Sequence, residues 1–383
     1  MNPFERVRSL PEVCLGPVRL GEGVLELRTP RLSDAAAWSE ARLANRQWLE
    51  RAFPAWGDDW AAEQSPSAWV ERWWHLQRLR HEVDARPFVL LLDGRLVGEL
   101  GVDAVDTESG GGEASVWMVR DHGSAAVMNV ASLLLIEHVF AEPRPMDRLI
   151  SPVATTSRQG RAPGLTAVGF EIEATLPRPV GRGPAADHDI WVLHNTPTTR
   201  ARAGRALAAM SGSDRPVPAT HRAPPTKVAA SVPAAARPLT RGLRRTLQRA
   251  SKRRSETTSA TRYVDADGVR VAVDAVGVVT ADGALAGRVP ATADVGTATA
   301  TLRPHPDGPD AGPTLAAAAA LLADDVVSWA PGSRWVEVRV GPAADGVGES
   351  LARYGFEHVA TFRGNPDGPR RWRGEQVWTR TVR

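Results

Sequence analysis

Apolar residues recur with a period of two in some stretches of this chain and of three to four in others, which predicts a succession of strands and helices. Residues 24–28 alternate like a strand. A helix starts after Ser33, with Asp34 in its first turn placed favourably against the helix dipole. Another opens at Ser65-Pro66, a capping residue followed by proline at the first helical position. Residues 88–92 and 96–102 read as strands around Asp93-Gly94, a strong hairpin signal. Residues 113–119 form a further strand, and a glycine turn leads into the apolar-faced helix 125–140, which Pro143 ends. A strand near 148–153, a helix near 163–168 and strands at 170–176 and 189–194 complete this part.

The later part repeats the plan. Asp93-Gly94-x-Leu96-x-Gly98 is answered by Asp282-Gly283-x-Leu285-x-Gly287, and Gly169-Phe170-Glu171-x-x-Ala174-Thr175 by Gly355-Phe356-Glu357-x-x-Ala360-Thr361. Two short matches in one order at nearly constant offset point to an internal duplication. Strand 297–303, helix 314–329 and strand 335–340 fit the second copy.

Between the parts the composition shifts. Residues 216–238 are rich in proline and alanine, with few large apolar groups to bury, and read as an extended linker. Leu239, Leu243 and Leu247 recur every four residues, so 240–254 reads as a short helix. Three segments result: residues 1–196, a basic linker 197–260, and residues 261–383. The linker holds 14 Lys+Arg and 2 Asp+Glu, a net of +12 in a chain whose total is +3. Such segregation suits an anionic partner, and residues 237–254 are the candidate contact for a ribosome, RNA or other polyanion; a solvated charged linker is the plain alternative.

The single cysteine, Cys14, excludes an intramolecular disulfide framework and a multi-cysteine zinc site, and fits a reducing cytosol. The sequence leads us to expect neither a signal peptide nor a run approaching the ~20 apolar residues of a membrane span. No metal is expected, the expected location is the cytoplasm, and oligomeric state is not legible.

The chemistry concentrates in Trp117-Met118-Val119-Arg120-Asp121-His122-Gly123-Ser124-Ala125-Ala126, a strand that turns through glycine directly into a helix. Small residues let the backbone approach a ligand, free amides at the helix start suit an anion, and Arg120 adds a cation. This is a diphosphate cradle without the lysine of a Walker-type loop.

Here the sequence resembles the GNAT superfamily of acyl-CoA-dependent N-acetyltransferases. Arg120-x-x-Gly123-x-Ala125 matches its CoA-binding loop, and Leu25-Glu26-Leu27-Arg28, Ser33-Asp34, Trp38, Asp93-Gly94-x-Leu96-Val97-Gly98 and Gly169-Phe170-Glu171 resemble the ribosomal-protein-alanine acetyltransferase (RimJ-like) branch. The resemblance spans roughly residues 15–195. It implies an α/β fold of the α+β type, with a mixed, mostly antiparallel sheet flanked by helices, here in two tandem copies. It implies acetyl-CoA or another acyl-CoA as co-substrate, held by Trp117, Met118, Val119, Arg120, Gly123, Ser124, Ala125 and Ala126. The acceptor it implies is an amine, at a protein N-terminus or on a small molecule.

Glu113, which resembles the acidic residue preceding the family's cofactor-binding strand, is the preferred base for deprotonating that amine, directly or through water; an exposed loop glutamate is the plain reading. Glu99 is the reserve, and His122 suits a contact with the cofactor. The only tyrosines, Tyr263 and Tyr354, lie outside the first part. Where the family carries an Asn-x-x-Ser pair, this chain has Arg158 and Arg161, which would suit an acyl chain ending in a carboxylate. Seven of thirteen tryptophans fall between Trp38 and Trp74. Most read as core, with Trp48, Trp56 and Trp60 as candidate acceptor contacts. In the second copy Pro304, Pro306, Pro309 and Pro313 replace the amide donors, so it is expected not to bind cofactor. The competing class is a non-catalytic acyl-CoA-binding or ribosome- or RNA-associated pseudoenzyme.

Overall fold

The computed structural model describes residues 10–53, 59–82, 85–106, 110–120, 125–179, 185–211, 220–222 and, with short breaks, 262–381. The described residues form two compact units. One takes 10–172 and 190–222, the other 173–189 and the residues from 262 onward. The proposed contact at 237–254, Trp56, and the Asp282-Gly283 pair lie outside the described residues.

The chain opens with β1 (Glu12–Leu20), β2 (Gly23–Arg28), α1 (Ala35–Ala44), α2 (Arg46–Ala52), the single turn α3 (Trp60–Glu63) and α4 (Pro66–Glu82). Next come β3 (Arg86–Leu92), β4 (Arg95–Asp106), β5 (Gly111–Met118) and α5 (Ala125–Ala141). Then follow β6 (Arg148–Ala154), α6 (Arg158–Val168), β7 (Glu171–Pro179), β8 (Ala185–His194), α7 (Pro197–Ser211) and β9 (Thr220–Arg222). The strands make one sheet in the order β7-β8-β6-β5-β4-β3-β2-β1-β9. It is antiparallel from β9 to β5, and β5 pairs in parallel with β6.

Local chemistry explains most boundaries. Asp93 and Gly94 both take positive φ, as the tight turn between β3 and β4 requires, and the Asp93 carboxylate accepts from Val24 N at 2.9 Å. Helix α5 buries residues on every side, from Val127 and Val130 to Leu135, Ile136 and Phe140, so it is an interior helix rather than a surface one. Helix α7 covers it, burying Ala203 and Leu207 while Arg200, Arg202 and Arg205 avoid the core. The linker read from composition therefore starts too early: the arginines and the buried residues sit on different faces of one helix, which composition averages together. β9, pairing with β1, falls in the same stretch. Strand β1 escapes the alternation rule because Pro17 interrupts it, and the ladder absorbs that proline at an irregularity between Leu15 and Val18. Helix α6 begins five residues before Pro163, which lies inside it.

Besides residues 173–189 of β7 and β8, the second unit contains β10 (Arg262–Ala266), β11 (Val269–Val273), β12 (Val278–Ala281), β13 (Ala284–Arg288), β14 (Ala291–Asp294), β15 (Thr299–Leu302) and β16 (His305–Pro306). After them come α8 (Gly312–Asp324), β17 (Trp335–Val340), α9 (Asp345–Leu351), β18 (Glu357–Phe362) and β19 (Glu375–Thr381). Two five-stranded sheets run β10-β11-β12-β13-β16 and β14-β15-β17-β19-β18. The order β15-β17-β19-β18 has the form of β5-β6-β8-β7, with the parallel pair in the same place. The two parallel pairs differ in how far they zip. All four residues of β15 pair with β17, whereas only Gly111, Gly112 and Glu113 of β5 pair with β6.

Candidate functional site

The partial ladder between β5 and β6 creates the site. Pairing stops at Glu113↔Ile150, yet β5 continues to Met118 and β6 to Ala154. The strands diverge past that point, and a cleft of about 530 Å³ opens between them. Its walls are residues 114–118 of β5, Leu149 and Ser151 of β6, one stripe of α5 and part of α6. The α5 stripe is Ala125, Met128, Asn129, Ser132, Leu135 and Ile136, the spacing of one helical face. Gly164 of α6 passes over it so closely that a Cβ there would lie 3.6 Å from Asn129 Oδ1.

The cleft leads to Val119 and Arg120 and to the start of α5. Arg120 is exposed, and its backbone N–H donates to Asn45 Oδ1 at 3.1 Å across 75 residues of sequence. Asn45, between α1 and α2, also donates from Nδ2 to Ala41 O at 2.9 Å. The side chain thus ties the end of α1 to the end of β5. Trp48, 36% exposed, lines the same opening.

Behind β5 lies a charged, aromatic layer. Glu99 of β4 is buried, and its Oε2 accepts from Trp38 Nε1 at 2.9 Å and Trp117 Nε1 at 2.7 Å, while Oε1 accepts from Arg72 Nε at 3.2 Å. Burial alone would raise its carboxyl, but the Arg72 and Arg42 guanidinia and the two indoles outweigh it and hold it below the usual range. Arg42 donates to Gln64 and lies 5.2–5.9 Å from the ring centroids of Trp117, Trp38, Phe53 and Trp60. Desolvation pushes it down to about 10, despite Glu99. Held by two indoles and a guanidinium, the Glu99 carboxylate anchors β5.

Cross-strand register places Glu113 opposite Asp103, with Ser115 Oγ donating to Asp103 Oδ2 at 3.2 Å and Ser115 lining the cleft. Glu113 is half-buried at the point of divergence. Two acidic residues and a hydroxyl therefore gather on one face of the β4–β5 pair, and of the three only Ser115 lines the cleft.

Of the residues singled out in the sequence, the structure brings together Trp117, Met118, Val119, Arg120 and Ala125 along the cleft, and Glu113, which precedes the lining residue Ala114, is not itself among the lining residues. The Trp117 indole points to Glu99. Ala126 is exposed and is not among the cleft-lining residues. Gly123, Ser124 and His122 lie outside the described residues, as do the side chains of Arg158 and Arg161 at the start of α6. Trp60 is buried and donates to Phe53 O, which makes it core rather than an acceptor contact. Sequence reasoning missed Asn45, Asp103, Ser115, Asn129 and Ser132. The last two carry a legible signal, as polar residues spaced along one face of an otherwise apolar helix.

No family model matches this sequence, and no curated protein matches it. Solved structures do. Mycobacterium smegmatis RimJ in complex with CoA-disulfide is 29% identical over 52% of this chain and 95% of its own, with a TM-score of 0.47. The Vibrio fischeri ribosomal-protein-S5-alanine acetyltransferase is 19% identical over 45% and 93%, TM-score 0.40. RimL, a ribosomal L7/L12 alpha-N-protein acetyltransferase in complex with coenzyme A, is 15% identical over 47% and 97%, TM-score 0.41. The chain is similar to RimJ-like GNAT acetyltransferases, as its motifs lead one to expect. Among the described residues no helix is long and apolar enough to cross a membrane.

Proposed function

We propose that this chain is an acyl-CoA-dependent N-acyltransferase, which uses acetyl-CoA or a related thioester to acylate a primary amine at a protein N-terminus or on a small molecule. The divergence of β5 from β6 carries this reading. It leaves a run of strand edge without a partner along the cleft, and an extended ligand with amide groups can bond such an edge as an added strand does. Asn129, Ser132 and Ser151 supply polar contacts on the facing walls. At the outer end, Arg120 and the amides of Gly123, Ser124, Ala125 and Ala126 would hold the diphosphate, because the first turn of a helix offers free N–H groups and the positive end of its dipole.

Acyl-CoA supplies an activated carbonyl carbon; the chain supplies position and proton transfer. Glu113 takes the proton of the incoming ammonium, directly or through a water, and Asp103 beside it adds negative charge that attracts a cationic acceptor. Ser115 fixes the Asp103 carboxylate. Asn45, between α1 and α2, and Trp48 of α2 form the rim on the acceptor side. The second unit is read as a duplicate that does not bind cofactor: its strand order supports common architecture, and its fully zipped β15–β17 pair offers no such edge.

The test is calorimetry of acetyl-CoA with the full chain, followed by thiol-release assays over a panel of amines and N-terminal peptides. Glu113→Gln is expected to lower turnover about 100-fold or more, the scale of general-base loss, with acetyl-CoA affinity unchanged within about twofold. Undiminished turnover in that variant removes Glu113 from the chemistry, and absence of CoA binding by the wild type removes the reading altogether.

A further inference from the structure

A second cavity, of about 660 Å³, lies in the first unit at the other end of α5. Its walls are apolar: Val13 and Leu15 of β1, Phe88 of β3, Leu134 and Phe140 of α5, and Ala203 of α7. The volume falls in the usual range for small-molecule sites, ~300–1,000 Å³.

The polar groups at its edge are unequal. Arg86 is committed to Glu142, with three N···O contacts of 2.8–3.1 Å, and His138 Nε2 approaches the same carboxylate at 3.3 Å. Arg200 donates to Asn195 Oδ1 at 2.6 Å and is exposed. Arg80, at the end of α4, is different. Its guanidinium donates to Gln77 Oε1 at 2.7 Å and Pro11 O at 2.9 Å, both neutral acceptors, and among the described residues it forms no ion pair. Desolvation, with Arg86 nearby, pushes it down to about 10, against a weaker pull from Glu12. Glu12 itself pairs with Arg31. Glu137, the remaining acid on the wall, is held upward by burial, towards its neutral form.

Among the described residues this guanidinium lines an apolar chamber without an ion-pair partner, a costly arrangement that an incoming carboxylate would relieve. Three of its five N–H donors remain for a ligand. A highly charged anion such as a nucleotide does not suit these walls, and a neutral hydrocarbon leaves the cation as it is. We infer that this cavity is a binding site for an apolar monocarboxylate, a medium-chain fatty acid or an aryl-alkanoic acid, whose carboxylate pairs with Arg80 and whose chain lies between β1, β3, α5 and α7. The site is separate from the acyl-CoA cleft, although Ile136 lines both.

Isothermal titration of the full chain with sodium decanoate tests this, with and without saturating coenzyme A. The expected result is one site per chain that coenzyme A does not compete for. Its affinity should fall about tenfold or more in Arg80→Met, on the scale of a charge-assisted pair. It should also be lost in Ala141→Trp, which fills the cavity from an exposed position on the last turn of α5. Decanol, matched in chain and lacking charge, should bind at least about tenfold more weakly, a comparison that needs no variant. No binding up to about 1 mM, decanol binding as tightly as decanoate, displacement by coenzyme A, or unchanged affinity in both variants would each overturn the assignment.

Discussion

Replacing Glu99 by glutamine keeps the side-chain shape and removes one charge from the layer behind β5, so its cost can be assembled from the contacts. The Trp38 and Trp117 indoles lose an ionised acceptor and retain at best a neutral one, roughly 1 kcal/mol each. Arg72 is 45% exposed, so its pair with Glu99 contributes under about 1 kcal/mol. Arg42 is 7% exposed among four rings, and Glu99 is the anion that offsets its burial. Losing that offset adds about 1–2 kcal/mol at the effective dielectric of a protein interior. The total is about 4 kcal/mol, or a fall of about 10 °C in Tm for a unit of this size. Differential scanning calorimetry of Glu99→Gln beside the wild type at pH 7 reads it.

The pH dependence gives a second handle on the same variant. The folded carboxyl lies below its ordinary 4.5, so its contribution is whole above that pH and is lost as pH falls through the folded value. The gap between wild type and variant should therefore narrow only below about pH 4.5. A difference under about 1 kcal/mol at pH 7, or a gap unchanged down to pH 3, would refute the account of Glu99 as the ionised anchor of β5.

Asn45→Ala frees the Arg120 N–H and the end of α1; it should cost about 1 kcal/mol in denaturant unfolding. Through the altered start of the loop, it should also weaken acetyl-CoA binding about fivefold, and equal affinity would mean that the Asn45 contact does not shape the anion site. In Gly98→Ala the new Cβ would lie 2.3 Å from Trp117 O and 3.0 Å from Met118 Cα, both backbone atoms of the neighbouring strand. That variant should lose about 3 kcal/mol or more, or fail to accumulate as folded protein. Gly21→Ala, with nothing within 4 Å, should stay within about 0.5 kcal/mol of the wild type on the same urea curve.

Local pattern fixed a large share of the first unit. The Asp93-Gly94 turn, the strands beside it, the Ser65-Pro66 helix start and the whole of α5 are stretches where propensity, period and punctuation agree. Where they disagree, reading along the chain failed. Pro17 hid β1 because a ladder irregularity absorbs it, and the arginines of α7 hid an amphipathic helix inside a basic stretch.

The cleft was not legible, because it arises from pairing that stops. No residue of β5 or β6 announces that the ladder ends at Glu113↔Ile150, and β15 and β17, in the same place in their own sheet, stay paired throughout β15. Register likewise set Glu113 opposite Asp103 and brought the Trp117 indole onto Glu99. The Asn45–Arg120 contact bridges 75 residues, and the setting of Arg80 depends on which groups fold near it. The sequence alone determined most of the elements of the first unit, since these follow from forces acting within a few residues. Tertiary structure decided the cleft, the acidic pair and the setting of the Arg80 guanidinium, since each depends on which distant strand or helix comes to lie alongside.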